Sequence, residues 1–169
     1  MKNNWKRIFY IIMLCLLVAI IAASCHYTRV PPGIRKANRI YSRNEKEITI
    51  VLDFVRNAKY QSISIDDASG YMYADFKDVK INNADVEAAI KTLIEREDFG
   101  FIYKDKGTIE FKIWSYKDVR SYIVWSGDGV DPVVQYTTQI IPMKARGWNY
   151  VIADYYKWRK TGDGLREPS

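Results

Sequence analysis

The chain has 169 residues, which suffices for one ordinary domain with an appendage but not for two sizeable hydrophobic cores. Its formal net charge is +6, but the 18 basic residues from Asn44 onward stand against all 20 acidic residues, a net charge of −2. The predicted domain therefore lacks the basic surface that nucleic-acid phosphates require, and we expect no nucleic-acid partner.

The first 25 residues are typical of a membrane-targeting segment. Lys2, Lys6 and Arg7 form a basic start without acidic residues, and residues 8–24 then contain no charge. This apolar run lies at the lower limit for a membrane-spanning helix and slightly above the usual length of the apolar part of a signal peptide. Its length leaves open a cleaved signal peptide and a retained membrane anchor.

Small residues precede the cysteine at the end of this run. The stretch from Ile20 to Cys25 resembles the lipobox of bacterial lipoproteins, in which such a cysteine is lipidated and becomes the new N-terminus. Ala23 and Ser24 fit the pattern, whereas the family prefers Leu at the position of Ala22. The resemblance covers residues 1–25 and implies lipidation of Cys25 and an extracytoplasmic domain. An uncleaved anchor and ordinary secretion are the alternatives. Basic residues flank the run on both sides and do not orient a retained helix.

Residues 26–42 are predicted to be a basic tether between this segment and the domain. Pro31, Pro32 and Gly33 favour extended or turned backbone there. Basic side chains beside an anionic membrane leaflet each contribute about 1 kcal/mol of attraction, so the tether would suit a membrane surface. A solvated spacer is the alternative.

Residues 43–160 are predicted to form an α+β domain. A helix over residues 43–58 is indicated by apolar residues at helical spacing and by a capping box from Ser42 to Glu45. A second helix with the same kind of apolar stripe is expected over residues 82–98.

Strand patterns occupy most of the remaining domain. The segments with alternating or β-branched and aromatic residues are 60–66, 71–79, 99–104, 108–114, 119–125, 133–141 and 148–156. We expect an antiparallel sheet of about six strands with both helices on one face. The order of elements, αββ-αββ-βββ, resembles the cone-shaped fold of nuclear-transport-factor-2-like (NTF2-like) proteins, and a cystatin-like sheet wrapped on a helix is the alternative. Residues 161–169 are expected to be a flexible tail.

Histidine and cysteine do not occur beyond His26. This excludes Ser-His-Asp and Cys-His catalysis from the domain, and also zinc, iron and haem sites with His or Cys ligands. The phosphate-binding patterns GxGxxG and GxxxxGK[ST] do not occur either. We therefore expect a non-enzymatic domain without a cofactor. A small hydrolase with paired carboxylates or a ligand-binding pocket is the alternative.

Two stretches are candidate binding sites. Aromatic, acidic and basic residues gather around the last predicted strand, a combination favoured in sugar stacking and at protein interfaces; they are Trp148, Tyr150, Asp154, Tyr156, Trp158 and Arg159. In the loop 127–132, Asp128 and Asp131 form a weak Ca²⁺ candidate, although glycines required by a tight connection explain this loop equally well. The sequence thus predicts a membrane-tethered, extracytoplasmic domain that contacts a protein or a cell-wall glycan.

Overall fold

The chain divides into two units at residues 30 and 31. The computed structural model describes residues 9–17, 30–95, 99–105, 107–127 and 129–161. Residues 9–17 are helical (α1) and belong to the first unit. Within these ranges, no helix is both long enough and apolar enough to cross a bilayer. Cys25 and the predicted tail beyond residue 161 lie outside the described residues.

The second unit contains helices and strands in alternating groups. Its described helices are α2 (Ile34–Arg43), α3 (Glu45–Asn57), α4 (Ala84–Glu95) and α5 (Tyr155–Thr161). Its described strands are β1 (Ile63–Ile65), β2 (Tyr71–Ala74), β3 (Lys77–Lys80), β4 (Phe101–Asp105), β5 (Thr108–Tyr116), β6 (Val119–Trp125), β7 (Thr137–Pro142) and β8 (Trp148–Asp154).

One antiparallel sheet holds these strands in the order β3-β2-β1-β4-β5-β6-β8-β7. The predicted α+β class is confirmed. Over the described residues the sheet has eight strands rather than about six, in part because one predicted strand is a hairpin.

The predicted strand over residues 71–79 turns back at Asp75 and Phe76. Both residues have positive φ, 45° and 70°, as the central positions of a two-residue hairpin connection require. Neither is glycine or asparagine, so the sequence carries no ordinary turn signal here. The Asp75 carboxylate accepts hydrogen bonds from the backbone amides of Ser62 (2.9 Å) and Gln61 (3.3 Å), which lower its pKa. The prediction of one continuous strand is therefore wrong.

We expect Phe76→Gly to stabilise the domain by about 0.5–1 kcal/mol. The Phe76 ring is 86% exposed, so little packing is lost, and glycine adopts a φ of 70° without steric cost. Urea unfolding of the full-length chain measures the change. Tyr73→Gly in the extended part of β2 is the matched control and should destabilise the domain. A lower unfolding midpoint for Phe76→Gly would show that the ring makes a stabilising contact.

Helix α2 lies where the sequence predicted a tether. Ala37, Ile40 and Tyr41 follow helical spacing and are buried. The Asn38 side chain accepts a hydrogen bond from the backbone amide of Lys144 (3.1 Å), which ties the helix to the turn after β7. The tether prediction over residues 26–42 is thus wrong from residue 34 onward, because a short apolar stripe among basic residues is enough to dock this helix.

The basic residues of α2 change the charge of the folded unit. They are Arg35, Lys36, Arg39 and Arg43. Adding these four to the 18 basic residues from Asn44 onward gives 22 against 20 acidic residues over 31–169, a net charge of +2 rather than −2.

A buried asparagine separates α2 from α3. Asn44 is fully buried, and its side-chain amide donates a hydrogen bond to the Ile40 carbonyl (2.8 Å). Ser42 lies inside α2, and no side chain caps the first turn of α3. The predicted capping box from Ser42 to Glu45 is therefore wrong.

The main hydrophobic core lies between the sheet and three helices, α2, α3 and α4. The side chains that point to the opposite side of the sheet form what we call the second face. A smaller apolar cluster lies there, made of Tyr122, Val124, Val134, Val151 and Ala153. Both faces of the sheet are therefore partly buried.

Candidate functional site

The second face combines aromatic and charged side chains on three neighbouring strands. Side chains alternate between the two faces along a strand. In β5, Glu110 and Lys112 alternate with buried isoleucine and phenylalanine. Tyr103 of β4 lies opposite Glu110, and Phe101 lies opposite Lys112. Tyr122 of β6 lies opposite Lys112 on the other side. The pairing therefore brings these five side chains together.

A cavity of about 670 Å³ opens on this face, within the range of about 300–1,000 Å³ that small-molecule sites occupy. Strands β4, β5 and β6 contribute its floor, and the end of β1, the segment 134–136 and the start of α5 surround it. Its aromatic residues are Phe101, Tyr103, Tyr122, Tyr136 and Tyr155.

The charged residues of the cavity differ in burial. They are Asp66, Glu110, Lys112, Asp118 and Arg120. The carboxyl group of Glu110 is deeply placed, and the residue is only 7% exposed. Lys112 is half-buried, and the other three are exposed.

Burial raises the pKa of Glu110 to about 8. The negative charge of Asp105 acts in the same direction, and the positive charge of Arg120 opposes it. At neutral pH the Glu110 carboxyl is therefore mostly protonated, and it can donate a hydrogen bond as well as accept one.

The Lys112 ammonium lies 4.4 Å from the centre of the Phe101 ring, at the distance of a cation–π contact. Burial lowers the pKa of Lys112, the charge of Arg120 lowers it further, and the charge of Asp66 opposes this. Gly100 makes room for the side chain, since a Cβ atom there would overlap Lys112 Cε. The position of the ammonium therefore depends on a glycine at residue 100.

An aromatic wall borders the cavity beside α5. The Tyr136 ring lies 5.0 Å from the Tyr155 ring and 5.1 Å from that of Trp158. Asp154 fixes this arrangement: its backbone amide donates to the Tyr136 carbonyl (3.0 Å), and its carboxylate accepts from the Lys157 amide (2.9 Å) at the start of α5.

The six candidate binding residues around the last predicted strand do not share one surface. Strand β8 ends at Asp154 and α5 begins at Tyr155, so the predicted strand 148–156 is two residues too long. Trp148 and Tyr150 are buried in the main core. Tyr156 and Arg159 are exposed on α5. Only Asp154 and Trp158 take part in the aromatic wall.

Tyr150 has a structural contact of its own. Its hydroxyl donates a hydrogen bond to the Pro32 carbonyl, and burial raises its pKa. Tyr150 thus holds the segment before α2 against the sheet.

Among the residues that the structure describes, the Ca²⁺ candidate gains no further ligand. Gly127 and Gly129 have positive φ, 86° and 71°, as a glycine-dependent connection requires. Asp131 is exposed, and Asp128 lies outside the described residues. In the part of the chain that is described, no three or more His, Cys, Asp or Glu side chains are placed to hold a metal ion.

The sequence analysis missed Glu110, Lys112 and Arg120. Each lies within a strand that the sequence predicted, over residues 108–114 or 119–125. The sequence signal for these residues is the mixture of aromatic and charged side chains at alternate positions of three consecutive strands, β4, β5 and β6.

Comparison with protein-family models, with curated proteins and with solved structures gives no match for this chain. The geometry of the cavity is therefore the basis for the functional argument.

Proposed function

We propose that the chain is a membrane-tethered, non-enzymatic domain that binds a cell-wall glycan on the outer side of a bacterial membrane. The main support for glycan binding is the second-face cavity, in which aromatic rings surround a buried carboxyl group. Aromatic rings cover the apolar faces of sugars, while a few placed polar groups bind the hydroxyls and orient the ligand. A protein partner on the same face is the alternative.

The proposed tether is the N-terminal segment, with Cys25 as its lipidation site. The basic start, the uncharged run and the small residues before Cys25 support this. Mass spectrometry of the mature N-terminus from native membranes tests it. A diacylglyceryl Cys25 is expected, whereas an intact Met1 would contradict lipidation.

Only one described carboxyl group of the cavity is buried, and this supports a binding role rather than hydrolysis by a buried carboxyl pair. A glycosidase uses two carboxyl groups that face each other across the scissile bond. Of the described acidic residues that line the cavity, Asp66 and Asp118 are exposed and Glu110 alone is buried. The tyrosine rings that line the same pocket suit the binding of a sugar ring.

Within the α+β class, we propose that the domain has an NTF2-like fold enlarged by the β2–β3 hairpin. A cystatin-like sheet is the alternative. The antiparallel sheet with α3 and α4 packed on one face supports this. A crystal structure tests it, since a flat, uncurved sheet would contradict both arrangements.

Binding to purified cell-wall glycan tests the proposed function. The full-length chain in detergent micelles should co-sediment with insoluble cell-wall sacculi. Tyr155→Ala should weaken this binding about tenfold, or by about 1.4 kcal/mol, which is the scale of a stacking contact between an aromatic side chain and a nucleobase. Tyr71→Ala, a half-exposed aromatic on β2 outside the cavity, is the matched control. No sedimentation, or equal loss in both variants, would contradict glycan binding in this cavity.

A further inference from the structure

Two cationic side chains reach the cavity, and neither forms an ion pair with a residue that the structure describes. Lys112 is half-buried on β5, and Arg120 is exposed on the neighbouring strand β6. Neither has a carboxylate within 4 Å among the residues that the structure describes. Their charges are close enough for Arg120 to lower the pKa of Lys112. Two like charges in a concave site repel each other, and an anion between them would relieve this.

The described carboxyl groups of the cavity offset the charges of Lys112 and Arg120 only in part. Glu110 has a pKa raised to about 8 and is mostly protonated at neutral pH, so it offsets little of the cationic charge. Asp66 follows the end of β1, and Asp118 lies in the turn between β5 and β6, and both are exposed to water. At such exposed positions the attraction between opposite charges is weakened by water. The half-buried ammonium of Lys112 is the charge that gains most from a bound anion.

The cations also lie beside aromatic surfaces. Lys112 packs over the Phe101 ring. Arg120 of β6 lies opposite Ala153 of β8. Ala153 precedes Tyr155 of the aromatic wall by two residues. A ligand that places an anionic group between the cations therefore meets a ring surface on each side.

Building on the proposed glycan binding, we propose that the cavity binds an anionic sugar. Lys112 and Arg120 bind its carboxylate or phosphate, and its ring packs against Tyr155 and Tyr136. The planar guanidinium of arginine suits both anions because it can donate two parallel hydrogen bonds. The protonated carboxyl of Glu110 can donate a further hydrogen bond to the ligand.

The affinities of four sugars with the same ring distinguish binding of an anionic sugar from general glycan binding. The four sugars are glucose, glucuronate, glucose 6-phosphate and glucosamine. Isothermal titration of the full-length chain in micelles gives their affinities at neutral pH. We expect glucuronate, glucose 6-phosphate or both to bind at least about tenfold more tightly than glucose. The better of the two identifies carboxylate or phosphate as the anion. Glucosamine should bind no more tightly than glucose.

Variants of the cations assign this preference to the cavity. Lys112→Met and Arg120→Met should each reduce the preference for the anionic sugar over glucose severalfold. Gly100→Ala keeps the charge but displaces the Lys112 ammonium, and it should have an effect in the same direction. Lys77→Met on β3 removes an exposed cation outside the cavity and should leave the preference intact. The thermal midpoint shows that each variant is folded.

The outcomes separate the two proposals. Equal affinities for glucose and glucuronate would overturn the anionic ligand and leave glycan binding in place. Tighter binding of glucosamine than of glucose would also overturn the anionic ligand, and it would indicate that acidic residues of the cavity bind the sugar. Failure of all four sugars, together with failure to sediment with sacculi, would overturn both. A preference that persists in both cation variants would place the anion outside this cavity.

Discussion

The free energy of unfolding should fall as the pH rises from about 5 to 9, and Glu110→Gln should remove most of that fall. Burial raises the pKa of Glu110 to about 8 in the folded chain, from an ordinary value of 4.5. Between these values the folded state keeps a proton that the unfolded state has released, so stability decreases with pH. The loss begins near pH 4.5 and is complete above pH 8.

The size of this effect follows from the same pKa difference. At 1.36 kcal/mol per pKa unit, the shift corresponds to about 5 kcal/mol as an upper limit. Water entry and local relaxation reduce such values, and we expect about 2–4 kcal/mol. Glutamine has nearly the same shape and no charge, so Glu110→Gln should resemble the wild-type chain near pH 5 and exceed it in stability near pH 9.

Urea unfolding of the full-length chain at pH 5, 7 and 9 measures this dependence. The matched control is Glu95→Gln on α4, whose side chain is 62% exposed, and it should follow the wild-type curve. The difference between Glu110→Gln and the wild type isolates Glu110 from other titrating groups. Parallel curves for these two chains would show that Glu110 is ionised in the fold at neutral pH.

Local sequence patterns were sufficient for the elements with long or regular signals. The helix predicted over residues 43–58 is α3 (Glu45–Asn57), and the strand predicted over 119–125 coincides with β6. In both, the apolar spacing extends over the whole element. The β2–β3 connection was missed because Asp75 and Phe76 adopt positive φ without glycine, held by hydrogen bonds to residues 61 and 62.

The composition of the site depends on pairings that are distant in sequence. Trp148 and Tyr150 were predicted to face a ligand, but their direction is set by the position of β8 between β6 and β7. A shift of one residue in such pairing would turn both side chains to the other face. The burial of Glu110 likewise needs neighbouring strands and residues 134–136, which no pattern within β5 indicates. The sequence could therefore identify the strands but not the cavity.

Replacing Trp148 by alanine should cost about 3–5 kcal/mol of unfolding free energy, the usual range for a large buried aromatic residue. Trp148 is 6% exposed, and its ring lies 5.0 Å from that of Tyr41 on α2 and 5.7 Å from that of Phe111 on β5. The indole thus joins α2 to the sheet. Hydrogen exchange should show that α2 loses protection more than α4 does.

Trp148→Phe keeps an aromatic ring and should cost less, so it gives a folded chain if the alanine variant does not fold. Tyr156→Ala is the matched control, because Tyr156 is also a candidate binding residue but is 58% exposed on α5. It should change stability by no more than about 0.5 kcal/mol.

Stability and glycan binding of Trp148→Phe together decide the role of the indole. If Trp148→Phe kept wild-type stability and lost glycan binding, Trp148 would be a ligand contact, as its sequence context suggested, and its placement in the core would be contradicted. A loss of stability with unchanged sugar affinity in the folded variant is the result that its packing between α2 and β5 requires.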